Sequence, residues 1–138
     1  MCENKIYDEL AELAVSMTQK SYAPYSGYKV GAALLTKSGK IFLGCNIENS
    51  AFSPTVCAER VAIFKAVSEG ELEFSAIAVA GGKDGVIAGY FPPCGVCRQV
   101  MAEFCRSDFD VILCSGEGYT VKKFSEILPF SFTLTDEP

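Results

Sequence analysis

Histidine is absent from this sequence. That removes the commonest general base and the commonest zinc ligand together. Ser-His and Cys-His catalytic pairs are therefore excluded. Any metal site must use thiolates or carboxylates, and any proton carrier must be Glu, Asp, Lys or Tyr. No apolar run approaches the ~20 residues that cross a bilayer, so no membrane partner is expected. The N-terminus, MCENKIYDEL, has acidic residues where a secretory signal would place basic ones before an apolar core. A cytoplasmic location is expected. There is no block of like charges, no internal repeat, no linker and no low-complexity segment. The formal charge of -5 repels polyphosphate backbones, so no nucleic-acid partner is expected and a small substrate fits better.

What is present suits one domain over residues 1–138. A chain of this length can bury a core without disulfide staples. Seven cysteines cannot all pair in any case. Thiols stay reduced in the cytoplasm, so they are core residues or metal and redox residues.

Residues 4–20 read as an amphipathic helix, with Ile6, Leu10, Leu13, Ala14 and Met17 at helical spacing. A loop over Tyr22–Gly27 precedes YKVGAALLT, whose small and apolar residues suit a central strand buried on both faces. IFLGCN pairs back through a Lys37–Lys40 turn. CAERVAIFKAVSEG is a helix stopped at Gly70, and FSAIAVAG is a strand. Gly81–Gly85 lacks a phosphate-loop pattern and reads as a flexible turn. Pro92 and Pro93 precede a helix opening at Cys94. DVILC and YTVK are strands, and KKFSEILP is a terminal helical turn. The order α, β, β, α, β, α, β, β, α predicts a layered α/β domain around one sheet.

Pro93-Cys94-Gly95-Val96-Cys97 places two thiols on one face at a helix start, where the helix dipole favours thiolates. By itself this spacing admits half a zinc site, a redox pair, or chance core cysteines. Cys57-Ala58-Glu59 adds a third thiol and a carboxylate at another helix start. Three protein ligands leave the fourth tetrahedral position open, the catalytic form of a zinc site. A closed site would need a fourth ligand from Cys2, Cys45, Cys105 or Cys114, none of which has a paired spacing. Cys45, Cys105 and Cys114 read as core thiols. Helical positions two apart point ~200° from each other, so Cys57 and Glu59 meet at a metal only at the helix end.

Three thiolates on a zinc ion leave a net negative charge, which calls for an offset. Arg60, three residues after Cys57 and on the same helical face, can donate to thiolate sulfur, with Gln99 assisting. The competing reading of Arg60 is a surface arginine paired with an acid. Asn46 and Glu48 alternate onto one side near a strand end, where they suit either the hydroxyls of a polar ligand or turn chemistry and solvent.

C-A-E followed by P-C-G-V-C matches the zinc-deaminase signature in its three-cysteine form. With YAPYSGYKVGAAL, GCNIEN, CAERVAIFKAVSEG and PCGVCRQV, the chain resembles the small homotetrameric cytidine deaminases over most of its length. The resemblance implies a three-layer α-β-α fold with a mixed sheet of about five strands. It implies one zinc ion held by Cys57, Cys94 and Cys97, and hydrolysis of cytidine or deoxycytidine. Zinc brings the pKa of bound water towards 7 and so supplies hydroxide for attack on C4. Glu59 would carry one proton to ring N3 and a second to the leaving amine.

The resemblance also puts Asn46 and Glu48 at the sugar, Tyr28 and Ala58 at the substrate, and Phe132 (with Phe130 close by) in a neighbouring subunit's site. Phe52 and Ser53 would wall the pocket. A deaminase for another cytosine-type molecule of the blasticidin kind, or a noncatalytic zinc module, are the competing functions.

Overall fold

The computed structural model describes residues 2–134. Its elements are α1 (Cys2–Met17), a 3-10 turn (Thr18–Lys20), β1 (Tyr28–Thr36), β2 (Ile41–Cys45), α2 (Ala58–Ser68), β3 (Phe74–Lys83), α3 (Gly95–Phe104), β4 (Asp110–Ser115), β5 (Gly118–Lys123) and α4 (Phe124–Ile127). The element order is the one expected from the sequence. The strands form one sheet ordered β2-β1-β3-β4-β5. Only the β3–β4 pair is parallel, so the sheet is mixed. The parallel step needs a crossover, and α3 supplies it.

Helices cover both faces, giving the α-β-α layering. Leu10 and Ala14 of α1 pack on Ala33, Ala76, Ala78, Ala80, Ile112 and Cys114. Nearly all of those strand residues are small, which lets α1 lie close to the sheet. On the opposite face, Ala58, Ala62, Ile63 and Ala66 of α2, with Cys97, Met101 and Ala102 of α3, cover Val30, Ala32, Leu34, Ile77, Val79, Val111 and Leu113. The start of α2 crosses β2 at Gly44, where a Cβ would lie 2.3 Å from the Ala58 carbonyl oxygen. Only glycine admits that approach, and it sets the height of the Cys57–Glu59 corner above the sheet.

Three expectations need correction. β3 runs on to Lys83, because Gly81, Gly82 and Lys83 pair with Val30, Lys29 and Tyr28; the flexible turn is correspondingly shorter. Cys45 is half-buried, not a core thiol, and its Sγ donates to the Lys20 carbonyl at 3.4 Å. The first predicted helix ends as a 3-10 turn over its last three residues.

Candidate active site

The two helices on the α2/α3 face each begin one residue after a cysteine. Cys57 caps α2 with φ -79° and ψ 157°, and Cys94 caps α3 with φ -71° and ψ 171°. Both are extended rather than helical. The 200° divergence of a regular helix therefore does not apply between Cys57 and Glu59, and both reach the same corner. Cys97, one turn into α3, completes the group.

The Sγ atoms of Cys57, Cys94 and Cys97 all lie within 4.8 Å of one another, and those of Cys57 and Cys94 are 3.6 Å apart. Tetrahedral zinc with ~2.3 Å bonds to sulfur needs sulfurs about 3.8 Å apart, so the cluster fits that ion. No fourth Cys, Asp or Glu joins the cluster among the described residues. The Cys2 side chain, a fourth-ligand candidate, lies outside them. Cys105 and Cys114 are buried elsewhere in the core, and burial raises both thiols, Cys114 to about 11.

Electrostatics at the corner favour a thiolate. The Cys57 thiol is pushed down to about 5, first by a hydrogen bond from the Cys97 thiol and further by Arg60 and Cys94, against the cost of burial. Donating that same bond, together with burial and the nearby Glu59 carboxylate, raises Cys97. The two thiols thus share a proton that a metal would displace.

Glu59 is 3 % exposed. Burial pushes its carboxyl up to about 7, with its own backbone N–H opposing and the Cys57 charge adding to the rise. The Cys97 thiol also donates to it. A buried acid poised near neutrality beside a metal cluster can take and return a proton.

Arg60 donates from Nη2 to the Cys57 sulfur at 3.5 Å and also reaches Cys97. It is therefore turned to the thiols and not to a surface acid. Arg60→Ala keeps a good helix former. We expect its zinc to be lost to a chelator about 10 to 100 times faster, the usual loss when a partner of metal ligands is removed. An unchanged release rate would assign the charge offset to the backbone amides at the two helix starts.

Two of the expected substrate contacts, Asn46 and Glu48, are held by residues 21–30. Asn46 is buried; its Oδ1 accepts from Val30 N at 2.9 Å and from the Ser21 hydroxyl, and its Nδ2 donates to Tyr28 O at 2.8 Å. Glu48 accepts from Tyr25 N at 2.9 Å, Ser26 N at 3.1 Å and the Ser26 hydroxyl. The Ser26 hydroxyl holds the Glu48 carboxyl below its ordinary value.

Glu48 lines a hollow of about 340 Å3 with Tyr25, Ser26, Phe52 and Thr55, whereas Tyr28 lines one of about 310 Å3 with Lys83 and Phe91. The single chain thus brings Asn46 and Glu48 to one loop but opens Glu48 and Tyr28 onto different hollows. Phe52 walls the first, edge-on to Tyr25 at 6.1 Å. Ser53 is not among the residues lining it.

Ala58 is completely buried and packs in the core. Gln99 turns to the C-terminal segment, donating from Nε2 to Phe132 O at 2.8 Å. Phe130 and Phe132 are both exposed in the free chain.

Sequence reasoning did not find Phe91, whose ring lies 5.9 Å from that of Tyr28, or the part Ser21 and Ser26 play in orienting Asn46 and Glu48. An aromatic directly before Pro92 was the available signal for Phe91.

Residues 4–113 match the cytidine and deoxycytidylate deaminase zinc-binding region. The chain belongs to that family. A cytidine deaminase of Sporosarcina psychrophila is 47 % identical over 119 residues, 86 % of this chain and 85 % of the relative. One from Halalkalibacterium halodurans is 45 % identical over 128 residues, covering 92 % and 94 % of the two chains. The crystal structure of cytidine deaminase from Burkholderia pseudomallei superposes with a TM-score of 0.81 at 43 % identity, covering 90 % of this chain and 97 % of that one. With the family shown and the three sulfurs converging, Cys57, Cys94 and Cys97 are the zinc ligands. No helix among the described residues is long and apolar enough to cross a membrane.

Proposed function

We propose that this chain hydrolyses the 4-amino group of cytidine and deoxycytidine, consuming water and giving uridine or deoxyuridine and ammonia. The observation that carries the reading is the buried Glu59 carboxyl against the three-thiol corner. When bound, zinc supplies Lewis acidity and makes water a competent nucleophile at neutral pH. Glu59 takes a first proton from the attacking water and delivers it to ring N3, then takes the second from the hydroxyl formed on C4 and gives it to the departing amine. Its burial keeps the carboxyl near the pKa at which it can do both. Arg60 offsets the thiolate charge.

Asn46 and Glu48 bind the sugar, and Tyr28 packs on the base. A cytoplasmic setting keeps the thiols reduced. The working form is a homotetramer in which Phe132 reaches a neighbouring site. Exposed Phe52, Phe64, Phe130 and Phe132 support this, since a monomer seldom leaves so many large aromatic side chains in water.

The test is zinc content and turnover on the same preparation. We expect one zinc per chain, turnover of cytidine well above that of blasticidin-type analogues, and a particle of four 14.9 kDa chains by light scattering. Zinc-loaded protein without turnover would make the chain a noncatalytic zinc module. A fully active monomer would remove the shared site.

A further inference from the structure

We infer that Lys83 is a positioning residue for the sugar end of the substrate, acting by pinning the turn that presents Glu48. The inference deepens the nucleoside reading above and rests on it. Lys83 pairs with Tyr28 at the last rung of the antiparallel β1–β3 ladder. Directly paired residues point to the same face. Counting along β1, that face also carries Val30, Ala32 and Leu34, which lie beneath α2 and α3. Lys83 therefore stands on the side of the sheet that holds the thiols and Glu59.

Its ammonium makes two contacts there. Nζ donates to Ser26 O at 2.7 Å and lies 5.3 Å from the centre of the Tyr28 ring. A cation at that distance is attracted to the ring face. The other side of the same turn is fixed by Asp84, whose backbone N donates to Gly27 O at 2.6 Å. Gly27 has φ +76°, and a Cβ there would lie 3.1 Å from Lys83 Nζ and 3.2 Å from Asp84 Oδ1. The positive φ favours glycine at the turn's apex, and a side chain there would crowd Lys83 and Asp84.

Ser26 is the junction. Its N–H and hydroxyl both donate to Glu48, and its Oγ also accepts from Tyr28 N at 3.0 Å. Fixing the Ser26 carbonyl through Lys83 therefore holds Glu48 in place. The Lys83 charge also helps to keep Glu48 ionised, after the Ser26 bonds. The zinc ligands and Glu59 have no bond to this turn, so its loosening weakens substrate binding and leaves the chemical step alone.

The experiment compares wild type, Lys83→Met and Lys83→Arg as zinc-loaded proteins, on cytidine and on 2′,3′-dideoxycytidine. Methionine keeps an unbranched stem without the charge or the donors. We expect Lys83→Met to raise KM for cytidine about tenfold, with kcat within about threefold, as when binding rather than transition-state contacts are lost. Lys83→Arg restores KM to within about threefold, because it keeps the charge and the donors. On the dideoxy substrate, which lacks the ring hydroxyls, Lys83→Met should change kcat/KM by less than about threefold.

An unchanged cytidine KM overturns the inference. So does an equal penalty on both substrates, or a fall in kcat with loss of zinc, which would mark a structural role. A wild-type zinc protein that turns over neither nucleoside sinks the nucleoside reading, and this inference with it.

Discussion

Glu59→Gln should leave the zinc in place and the fold intact while turnover falls by several orders of magnitude. Glutamine nearly matches glutamate in volume, so the packing around a side chain that is 3 % exposed is preserved. The thiol cluster does not include the carboxyl, so metal retention does not depend on it. What is lost is the proton carrier, because an amide cannot accept a proton at one stage and return it at the next. General acid–base catalysis contributes about 10² to 10⁴-fold, and in the proposed reaction one residue serves more than one transfer. The check is kcat alongside zinc analysis and a thermal melt. A variant within tenfold of wild type would show that another group moves the proton.

Cys94→Ser should empty the metal site without unfolding α3. Cys94 is the N-cap of that helix, and its sulfur accepts from Cys97 N at 3.5 Å. Serine is among the best N-cap residues, so the helix keeps its cap. The alcohol stays protonated at neutral pH and is a poor zinc ligand, leaving two thiolates. We expect zinc to fall below about a tenth per chain and turnover to fall by at least about a thousandfold.

The variant should also lose the stabilisation that ligand binding confers, about 2.7 kcal/mol at free zinc some 100-fold above the wild-type Kd. Metal analysis and melts with and without added zinc measure both. Cys105→Ala is the matched control, since Cys105 is buried in the core away from the cluster. It should keep a full zinc complement. Normal zinc in Cys94→Ser would mean that the ligand set is not these three thiols.

The placement of the C-terminal segment adds a constraint of its own. Gln99 holds the Phe132 carbonyl, and Arg98, its neighbour in α3, donates to Pro93 O at 2.8 Å and to Ile127 O. The turn that delivers Cys94 is thus braced through the same helix start that anchors the exposed phenylalanines.

The sequence by itself determined the chemistry. With no histidine, the metal ligands had to be thiolates or carboxylates, and Cys57, Glu59, Cys94 and Cys97 stood in spacings that local geometry can interpret. It also determined the element order, because apolar periodicity and turn residues act over a few neighbours. Only the tertiary structure decided what depends on contact across the sheet. It made Cys57 and Cys94 extended caps, so that Glu59 and the thiols share one corner. It turned Gln99 to Phe132 and Arg60 to Cys57.

It also carried β3 through a glycine-rich stretch that reads locally as a loop. The rungs to Tyr28, Lys29 and Val30 hold that stretch extended, and so place Lys83 beside Tyr28. Glycine has little strand preference of its own, so its conformation there follows from a partner strand more than 50 residues away in the chain. Spacing along the chain can reveal which groups a site has, but the pairing of distant strands settles which of them meet.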